Sequence, residues 1–216
     1  MTQSKKVNTK TPIDTIKNST KTATKTTSKK IAITGGIGSG KSTVLSIIAE
    51  SFPVISCDEI TRELYKKHYI KERLKEAFPT AVSGNTRLKC DKKAIANLCF
   101  NDDKNYKKLC DILTKEVYKE AMKRAQKHPV CFVEVPLLFE YNLQDSFDNV
   151  IVVMRDIKAR IESVKARSNL TKSEIEKRIA RQFDYSKIDK DKYIIINNDG
   201  NLTELKSQVK AVLEKL

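Results

Sequence analysis

One short segment limits the possible fold more than any other, because an apolar run, a glycine-rich turn and a helical stretch follow each other without a break. Residues 30–34 read KIAIT, residues 35–42 read GGIGSGKS, and a helical pattern covers residues 41–50. The turn fits G-x-x-x-x-G-K-[ST], in which glycines let the backbone curl until several N–H groups face one anion. The following helix adds the positive end of its dipole. The segment therefore predicts a strand, a phosphate-binding loop and a helix at one edge of a parallel sheet.

The residues of this turn have distinct predicted roles. Eight of them are expected to bind the phosphates of ATP through backbone amides or side chains: Gly36, Ile37, Gly38, Ser39, Gly40, Lys41, Ser42 and Thr43. Lys41 is placed to bridge the β- and γ-phosphates and is a candidate catalytic residue. The hydroxyl of Ser42 is a candidate ligand for Mg²⁺. The turn indicates ATP or GTP binding without deciding between them, and it does not say what happens to the nucleotide.

Apolar strands alternate with helical patterns over the rest of the chain. Further strands are predicted at 53–56, 130–135, 150–154 and 193–197, and further helices at 58–67, 91–100, 105–127, 156–166, 171–186 and 202–216. Asp58 and Asp91 are predicted to cap the helices that they begin. Continuous apolar strands with helices between them are typical of a parallel sheet that is covered on both faces. We therefore predict an α/β fold, with much helix inserted between the second and third strands to form an acceptor-binding region.

Positive charge is concentrated at the amino terminus. The chain carries a formal charge of +15, and residues 1–30 hold eight lysines and a single acid, Asp14. Since large apolar side chains are nearly missing from residues 1–28, we predict a disordered Lys/Thr-rich tail there and one ordered domain over residues 29–216. A weak contact with RNA or another anionic surface, and an organelle-targeting role, remain alternatives for the tail.

Composition disfavours several classes of protein. No apolar run approaches the roughly 18 residues that span a membrane, and the amino terminus lacks the apolar centre of a secretory signal. The five cysteines form no C-x-x-C pair and only two histidines are present, so we expect packed, reduced thiols in a cytoplasmic protein rather than a zinc site. Aromatic residues make up 6% of the chain and tryptophan is absent, which argues against a specific nucleic-acid platform.

Three segments after the phosphate loop narrow the interpretation. TGGIGSGKST at residues 34–43 is followed by VISCDEITR at 54–62, VPLLFE at 135–140 and RIARQ at 178–182. In this order the four segments resemble the dephospho-coenzyme A kinase family, and the resemblance extends from about residue 30 to the carboxyl terminus. The segments at 54–62 and 135–140 carry the resemblance, because the phosphate-loop segment at 34–43 is shared by many families.

The resemblance implies an enzyme that transfers the γ-phosphoryl group of ATP to the ribose 3′-hydroxyl of dephospho-CoA, the last step of coenzyme A synthesis. It also implies a five-stranded parallel core, a helical acceptor-binding region at about residues 59–127 and a helical lid at about residues 156–186. ATP and Mg²⁺ are the expected co-substrate and cofactor, and dephospho-CoA is the expected small-molecule partner. We expect a monomer or a weak homo-oligomer.

The same resemblance assigns site residues. The implied substrate-binding set is Asp58, Arg62, Pro136, Leu137 and Leu138, and the implied lid set is Arg167, Arg178 and Gln182. Asp58 matches the residue proposed in the family as the base that accepts the proton of the ribose hydroxyl. Arg167 is a candidate catalytic cation. Arg181 is a further cation of the predicted lid. The chain departs from the family pattern at Ser56 and Glu134, at Thr114-Lys115 and at Ser163, where Asp, Asp, His-Pro and Arg respectively are common.

From the residues alone, each of these roles has an alternative. Asp58 serves equally well as a helix cap, and Arg62, four residues later, as its partner in a surface ion pair. Glu134, at the end of the third strand, either holds a Mg²⁺-bound water or is only a polar residue that ends the strand. Asn197 and Asn198 follow the last strand and either approach the adenine or form a turn.

Two other functions compete with the implied one. Another small-molecule P-loop kinase, acting on a nucleoside monophosphate or a sugar, would share the loop and the sheet. A nucleotide-dependent nucleic-acid-binding module would account for the positive charge, and it predicts RNA binding that falls steeply with salt.

Overall fold

A computed structural model describes residues 28–100 and 102–216 of the 216-residue chain. The predicted disordered tail therefore lies, apart from Ser28, outside the described residues. Ser28 itself is fixed to the domain, because its hydroxyl donates to the carbonyl oxygens of Ala125 at 3.0 Å and His128 at 2.7 Å.

Five parallel strands form the central sheet, as predicted. They are β1 (Lys29–Thr34), β2 (Val54–Ser56), β5 (Val130–Glu134), β6 (Asn149–Met154) and β7 (Ile194–Asn197), in the order β2-β5-β1-β6-β7. The central strand β1 pairs Ile33 with Glu134 of β5 and with Ile151 of β6. All five strands end at one edge, where parallel sheets bind their ligands.

The two faces of the sheet are buried by different helices. Along β1, Ile31 and Ile33 pack in one hydrophobic cluster, whereas Ala32 packs in the other, and all three are fully buried. This alternation follows from the period of two along a strand. Burial on both faces explains why the strands read as continuous apolar runs rather than as alternating ones.

Eight helices surround the sheet in the described part of the chain. They are α1 (Lys41–Ile48), α2 (Cys57–Leu64), α3 (His68–Ala77), α4 (Lys92–Phe100), α5 (Asp103–Ala125), α6 (Ile157–Arg167), α7 (Lys172–Ala180) and α8 (Leu202–Leu213). The predicted cap at Asp91 is confirmed, since its carboxylate accepts from the backbone N–H groups of Lys93 and Ala94. No helix among residues 28–100 and 102–216 is long and apolar enough to cross a membrane.

Two predicted helix boundaries are wrong, and both corrections affect the site. Helix α2 begins at Cys57, directly after β2, and its cap is Ser56, whose hydroxyl accepts from the N–H of Glu59. Asp58 therefore lies inside the first turn and does not cap the helix. Helix α7 ends at Ala180 instead of continuing to residue 186, because Arg181 ends the helix and the chain then turns toward the phosphate loop.

Sequence reasoning also missed two elements between β2 and β5. Helix α3 has only two fully buried apolar side chains, Ile70 and Leu74, so its periodic signal is weak. The predicted turn around Gly84 connects a small antiparallel hairpin, β3 (Val82–Ser83) and β4 (Lys89–Cys90). Gly84 has a φ of 88°, a left-handed conformation that favours glycine. Together with α2, α4 and α5, these elements form the helical insertion.

Candidate active site

The phosphate loop depends on glycine at two positions. Gly38 and Gly40 have φ angles of 77° and 90°, which residues with a side chain rarely adopt. A Cβ atom on Gly40 would also lie 2.0 Å from the side-chain nitrogen of Asn198, and one on Gly38 would lie 2.5 Å from the carbonyl oxygen of Arg160. The loop therefore has both the conformation and the close neighbours that the glycine pattern predicts.

Three side chains from distant segments hold the loop from outside. Arg160 of α6 donates from Nε to the carbonyl oxygen of Ile37 at 2.9 Å, and Asn198 donates from Nδ2 to that of Ser39 at 2.9 Å. The predicted lid residue Gln182 accepts the N–H of Ile37 through Oε1 at 2.7 Å. Asn198 thus contacts the loop rather than only forming a turn. These contacts between protein groups fix the curl of the loop.

Lys41 is the first residue of α1, and its ammonium folds back over the loop. Its Nζ donates to the carbonyl oxygens of Gly35 at 2.6 Å and Gly36 at 3.2 Å. Burial lowers the pKa of Lys41 to about 8, against an upward effect of the carboxylates of Glu134 and Asp58. The guanidinium groups of Arg160 and Arg167 lower it further. The ammonium therefore lies near both carboxylates and guanidinium groups.

Two carboxylates lie near this ammonium, that of Glu134 at the end of β5 and that of Asp58 just after β2. Ser56 and Glu134 are partners across β2 and β5, and the hydroxyl of Ser56 donates to Oε2 of Glu134 at 2.6 Å. Asp58 follows two residues later in the first turn of α2, where the helix dipole favours negative charge. Burial, with the charges of Glu134 and Asp58, raises the pKa of the Cys57 thiol to about 12. Cys57 is thus a neutral, buried packing residue.

An apolar cleft of about 190 Å³ opens next to Asp58. Its walls come from α2, from α5 and from the loop after β5, and the lining includes Asp58, Thr61, Cys110, Leu113, Thr114, Val117, Pro136 and Leu137. The structure thus brings Asp58, Pro136 and Leu137 together, as the sequence predicts. The prediction for Leu138 is corrected, because its side chain is fully buried in the hydrophobic core and does not line the cleft.

Arg62 does not join this group. Its guanidinium lies 3.8 Å from Glu59, and both side chains are about two-thirds exposed. The ion pair is therefore of the surface kind, with Glu59 in place of Asp58 as the partner.

A second pocket of about 300 Å³ lies between the phosphate loop and the lid helices. It shares Leu109 and Leu137 with the apolar cleft, and its lining adds Ile37, Phe100, Tyr106, Arg178, Arg181 and Gln182. Helices α6 and α7, over which the sequence predicts a lid, form a hairpin that is held by Ile161, Val164 and Ile175. Arg178 thus faces the space between loop and insertion, whereas Arg181 points to the insertion, with its guanidinium 2.7 Å from Asp103.

Sequence reasoning missed Arg160, although a signal for it was present. Arg160 and Arg167 are seven residues apart, so they share one face of α6, and Arg167 was already a candidate. The bond between Ser56 and Glu134 had no such signal, because it depends on which strands are neighbours.

The fold and the loop together define the class of this protein. A nucleotide-binding loop at the carboxyl edge of a parallel sheet, with an apolar cleft on one side and a basic helical hairpin on the other, is the arrangement of a P-loop kinase.

Comparisons with known proteins then identify the family. The profile of the dephospho-CoA kinase family matches residues 29–204. A dephospho-CoA kinase of Thermus thermophilus is 33% identical over 189 residues, which are 86% of this chain and 91% of that protein. A dephospho-CoA kinase of Streptococcus pyogenes is 33% identical over 196 residues, 86% of this chain and 97% of that protein. The chain belongs to the dephospho-CoA kinase family and is an ATP-dependent phosphotransferase.

Solved structures share this fold. A crystal structure from Thermus thermophilus superimposes with a TM-score of 0.73 at 32% identity, covering 87% of this chain and 97% of that one. Dephospho-CoA kinase from Campylobacter jejuni superimposes with a TM-score of 0.57 over 87% of this chain and 96% of that one. At 21% identity the second likeness supports the fold alone.

Proposed function

We propose that this kinase transfers the γ-phosphoryl group of ATP to the ribose 3′-hydroxyl of dephospho-CoA, with Asp58 as the base and the phosphate loop as the donor site. One observation carries the proposal: Asp58 lines the acceptor cleft, and its charge also raises the pKa of Lys41 in the donor site. The same carboxylate would thus lie between an alcohol in the cleft and the phosphate that Lys41 would hold.

The donor half of the reaction is electrostatic. The backbone N–H groups of the loop, other than that of Ile37, which donates to Gln182, would bind the triphosphate together with the amino end of α1. Lys41 would exchange its two carbonyl contacts for β- and γ-phosphate oxygens, which are stronger acceptors because they are charged. Positioning and charge neutralisation supply most of the catalysis in phosphoryl transfer.

The acceptor half requires a proton to leave the attacking hydroxyl. The carboxylate of Asp58 would accept it while the oxygen–phosphorus bond forms and ADP departs with the electrons of the broken bond. Glu134 has a different place, since one of its oxygens already accepts from Ser56. This division leaves Asp58 as the base and Glu134 as an anchor at the edge of the sheet.

The lid cations are proposed to neutralise charge on the transferring group. Arg167 is the last residue of α6, and its guanidinium makes no ion pair within 4.0 Å among residues 28–100 and 102–216. Its charge already lowers the pKa of Lys41. Arg178 lines the adjoining pocket beside Ile37. When ATP is bound, both would be drawn toward the phosphates and help to exclude water.

The residues present fit a magnesium ion carried in with ATP. Ser42 exposes its hydroxyl in the first turn of α1, and no group of three acidic, His or Cys side chains suited to a metal occurs among the described residues. Mg²⁺ commonly binds through one or two protein oxygens together with substrate phosphates and water. Ser42 would hold the ion, which when bound offsets the negative charge of the phosphates.

The acceptor cleft separates this proposal from a kinase of smaller substrates. Walls of Leu113, Val117 and Leu137 suit a long acceptor with apolar parts better than a sugar or a lone phosphate. Thr114, at the family's usual histidine position, lies in the cleft wall and has a hydroxyl to offer an acceptor. Acceptor contacts from α5 are therefore retained with a different side chain.

A panel of acceptors tests the proposal. ADP formation from ATP and Mg²⁺ is measured with dephospho-CoA, a nucleoside monophosphate, gluconate and shikimate, and the product is located by NMR. We expect strong stimulation by dephospho-CoA alone and a new phosphate on the ribose 3′-oxygen. A lack of stimulation by dephospho-CoA would refute the acceptor, and a phosphate on another oxygen would refute transfer to the ribose 3′-hydroxyl.

A further inference from the structure

The residue that ends helix α7 connects two parts of the site that are far apart in the chain. The guanidinium of Arg181 crosses from the lid hairpin to the corner where α4 ends and α5 begins. Its Nη2 lies 2.9 Å from the carbonyl oxygen of Phe100 and 2.7 Å from Oδ1 of Asp103, and its Nη1 lies 3.3 Å from the carbonyl oxygen of Cys99. The ring of Tyr106 lies under the same group, with its centroid 5.1 Å from Cζ.

These contacts suit arginine in particular. The last carbonyl groups of a helix have no partner inside the helix, and the helix dipole makes that end negative. A planar guanidinium offers several N–H donors in a fixed fork, whereas a lysine offers a point charge. Arg181 therefore acts as a cap on the carboxyl end of α4, supplied by a different element.

The neighbouring residue extends the connection to the phosphate loop. Gln182 accepts the N–H of Ile37 at 2.7 Å. Because consecutive Cα atoms are only about 3.8 Å apart, the position of Arg181 on the insertion restricts where the carboxamide of Gln182 can lie. Two adjacent residues thus tie together the acceptor-binding insertion, the lid and the donor loop.

We propose that Arg181 is a positioning residue that latches the lid to the acceptor-binding insertion and so holds Gln182 on the phosphate loop. The latch borders the 300 Å³ pocket, which shares Leu109 and Leu137 with the acceptor cleft. It keeps the lid over the site while the acceptor is present, so that ATP reacts with the acceptor and not with water. The idea rests on the proposed function, since it concerns the same reaction.

The strength of the latch is divided unequally between its contacts. Asp103 is 84% exposed at its side chain, so its ion pair with Arg181 is screened by solvent. The contacts to the carbonyl oxygens of Cys99 and Phe100 are partly buried. We therefore expect removal of the arginine to matter much more than removal of the Asp103 charge.

Four variants of the full-length chain test the latch. Arg181→Met removes every contact, Arg181→Lys keeps the charge without the fork, and Asp103→Asn removes only the ion pair. Lys172→Met is the matched control, because Lys172 is an exposed cation of the same helix that pairs only loosely with Glu176 at 3.8 Å. ADP and phosphorylated acceptor are measured separately, so that ATP hydrolysis and transfer are distinguished.

We expect Arg181→Met to lower kcat for transfer by about tenfold and to raise ADP formed per acceptor phosphorylated severalfold. Arg181→Lys should be intermediate, and Asp103→Asn and Lys172→Met should stay within about twofold of the wild type. An unchanged ratio of ADP to product in Arg181→Met would overturn the latch, even if kcat fell. Should Arg181→Met fail to fold, a wild-type ratio in a folded Arg181→Lys would do the same.

A second measurement needs no acceptor and keeps the two proposals separate. Hydrogen–deuterium exchange in residues 35–40 and 172–182 is compared between wild type and Arg181→Met without ligands. The latch predicts faster exchange of both segments in the variant and no change in β6 or β7. Faster exchange with no activity on dephospho-CoA in the wild type would leave the latch intact and remove the proposed acceptor. Equal exchange would remove the latch alone.

Discussion

At the scale of single residues, the ammonium of Lys41 shows how the donor site is prepared for a polyanion. Buried under its own loop, it is stabilised by two backbone carbonyl oxygens and by the charges of Glu134 and Asp58. Burial still prevails, so the pKa falls to about 8 from an ordinary value of 10.5. A triphosphate would reverse that balance, because it places several negative charges beside the same nitrogen.

The pH dependence of ATP binding follows from this shift. Between a pH of about 8 and 10.5 the unfolded chain binds more protons at Lys41 than the folded chain does, so this residue makes the free energy of unfolding rise with pH in that window.

ATP favours the protonated ammonium, so the affinity of the protein for ATP should fall as the pH rises from about 7 to about 9.5. Isothermal titration in buffers of different ionisation enthalpy should show proton uptake above a pH of about 8. Equal affinity at both pH values would contradict the shift, and Lys41→Met should bind weakly at either one.

The assignment of Asp58 as the base gives a second prediction at this scale. Asp58→Asn keeps the shape of the side chain but cannot accept a proton, so ATP binding should persist while kcat falls by about 10² to 10⁴. Glu59→Gln is the matched control, because Glu59 is the adjacent carboxylate and faces Arg62 on the surface. Turnover with saturating ATP and dephospho-CoA measures both. An Asp58→Asn enzyme as active as Glu59→Gln would exclude Asp58 from proton transfer.

At the scale of elements, the sequence predicts strands better than helix ends. The strands are short apolar runs bounded by polar residues, and the structure confirms five of them. Helix α2 starts one residue earlier than expected because Ser56 and Asp58 are both good caps, and only the geometry after β2 decides between them. Helix α7 stops early because Arg181 has partners on α4 and α5, which are distant in sequence.

Ser56 gives the prediction that belongs to this scale, because it serves both an element and the site. Its hydroxyl caps α2 and donates to Glu134. Ser56→Ala should lower the free energy of unfolding by about 1 kcal/mol, the usual cost of a lost cap, and should also lower kcat because Glu134 loses its donor and α2 carries Asp58. Asn201→Ala is the matched control, because it removes the cap of α8 and Asn201 does not line the apolar cleft. Denaturant titration and kcat are measured for both.

The comparison of the two caps isolates the effect on the site. Similar losses of stability with a kcat reduced about fivefold only in Ser56→Ala would show that the bond to Glu134 positions the edge of the sheet. Matching kcat values in the two variants would reduce Ser56 to an ordinary helix cap.

At the scale of the whole molecule, the fold is more predictable than the site. The strand–loop–helix segment and the alternation of elements determine the sheet, and therefore the edge at which ligands bind. The apolar cleft beside Asp58 is different, because Leu113 and Val117 of α5 meet Pro136 only after the insertion has packed on the sheet. The positions of Arg160 and Asn198 against the phosphate loop likewise depend on contacts across more than a hundred residues.

The distribution of charge over the molecule gives the last prediction. All residues placed at the site lie within residues 28–216, whereas residues 1–27 hold six of the lysines and one acid. Replacing those lysines by glutamine in the full chain (Lys5, Lys6, Lys10, Lys17, Lys21 and Lys25) should leave kcat and KM for both substrates within about twofold of the wild type. Any non-specific RNA binding should weaken, with a salt dependence shallower by at most about five ions, because each cation lost releases one fewer counterion. Filter binding at several salt concentrations measures this slope. RNA binding by the substituted chain that is undiminished and falls steeply with salt would instead place a nucleic-acid surface on the kinase domain itself. A loss of phosphoryl transfer in the substituted chain would show that the tail takes part in the catalytic cycle.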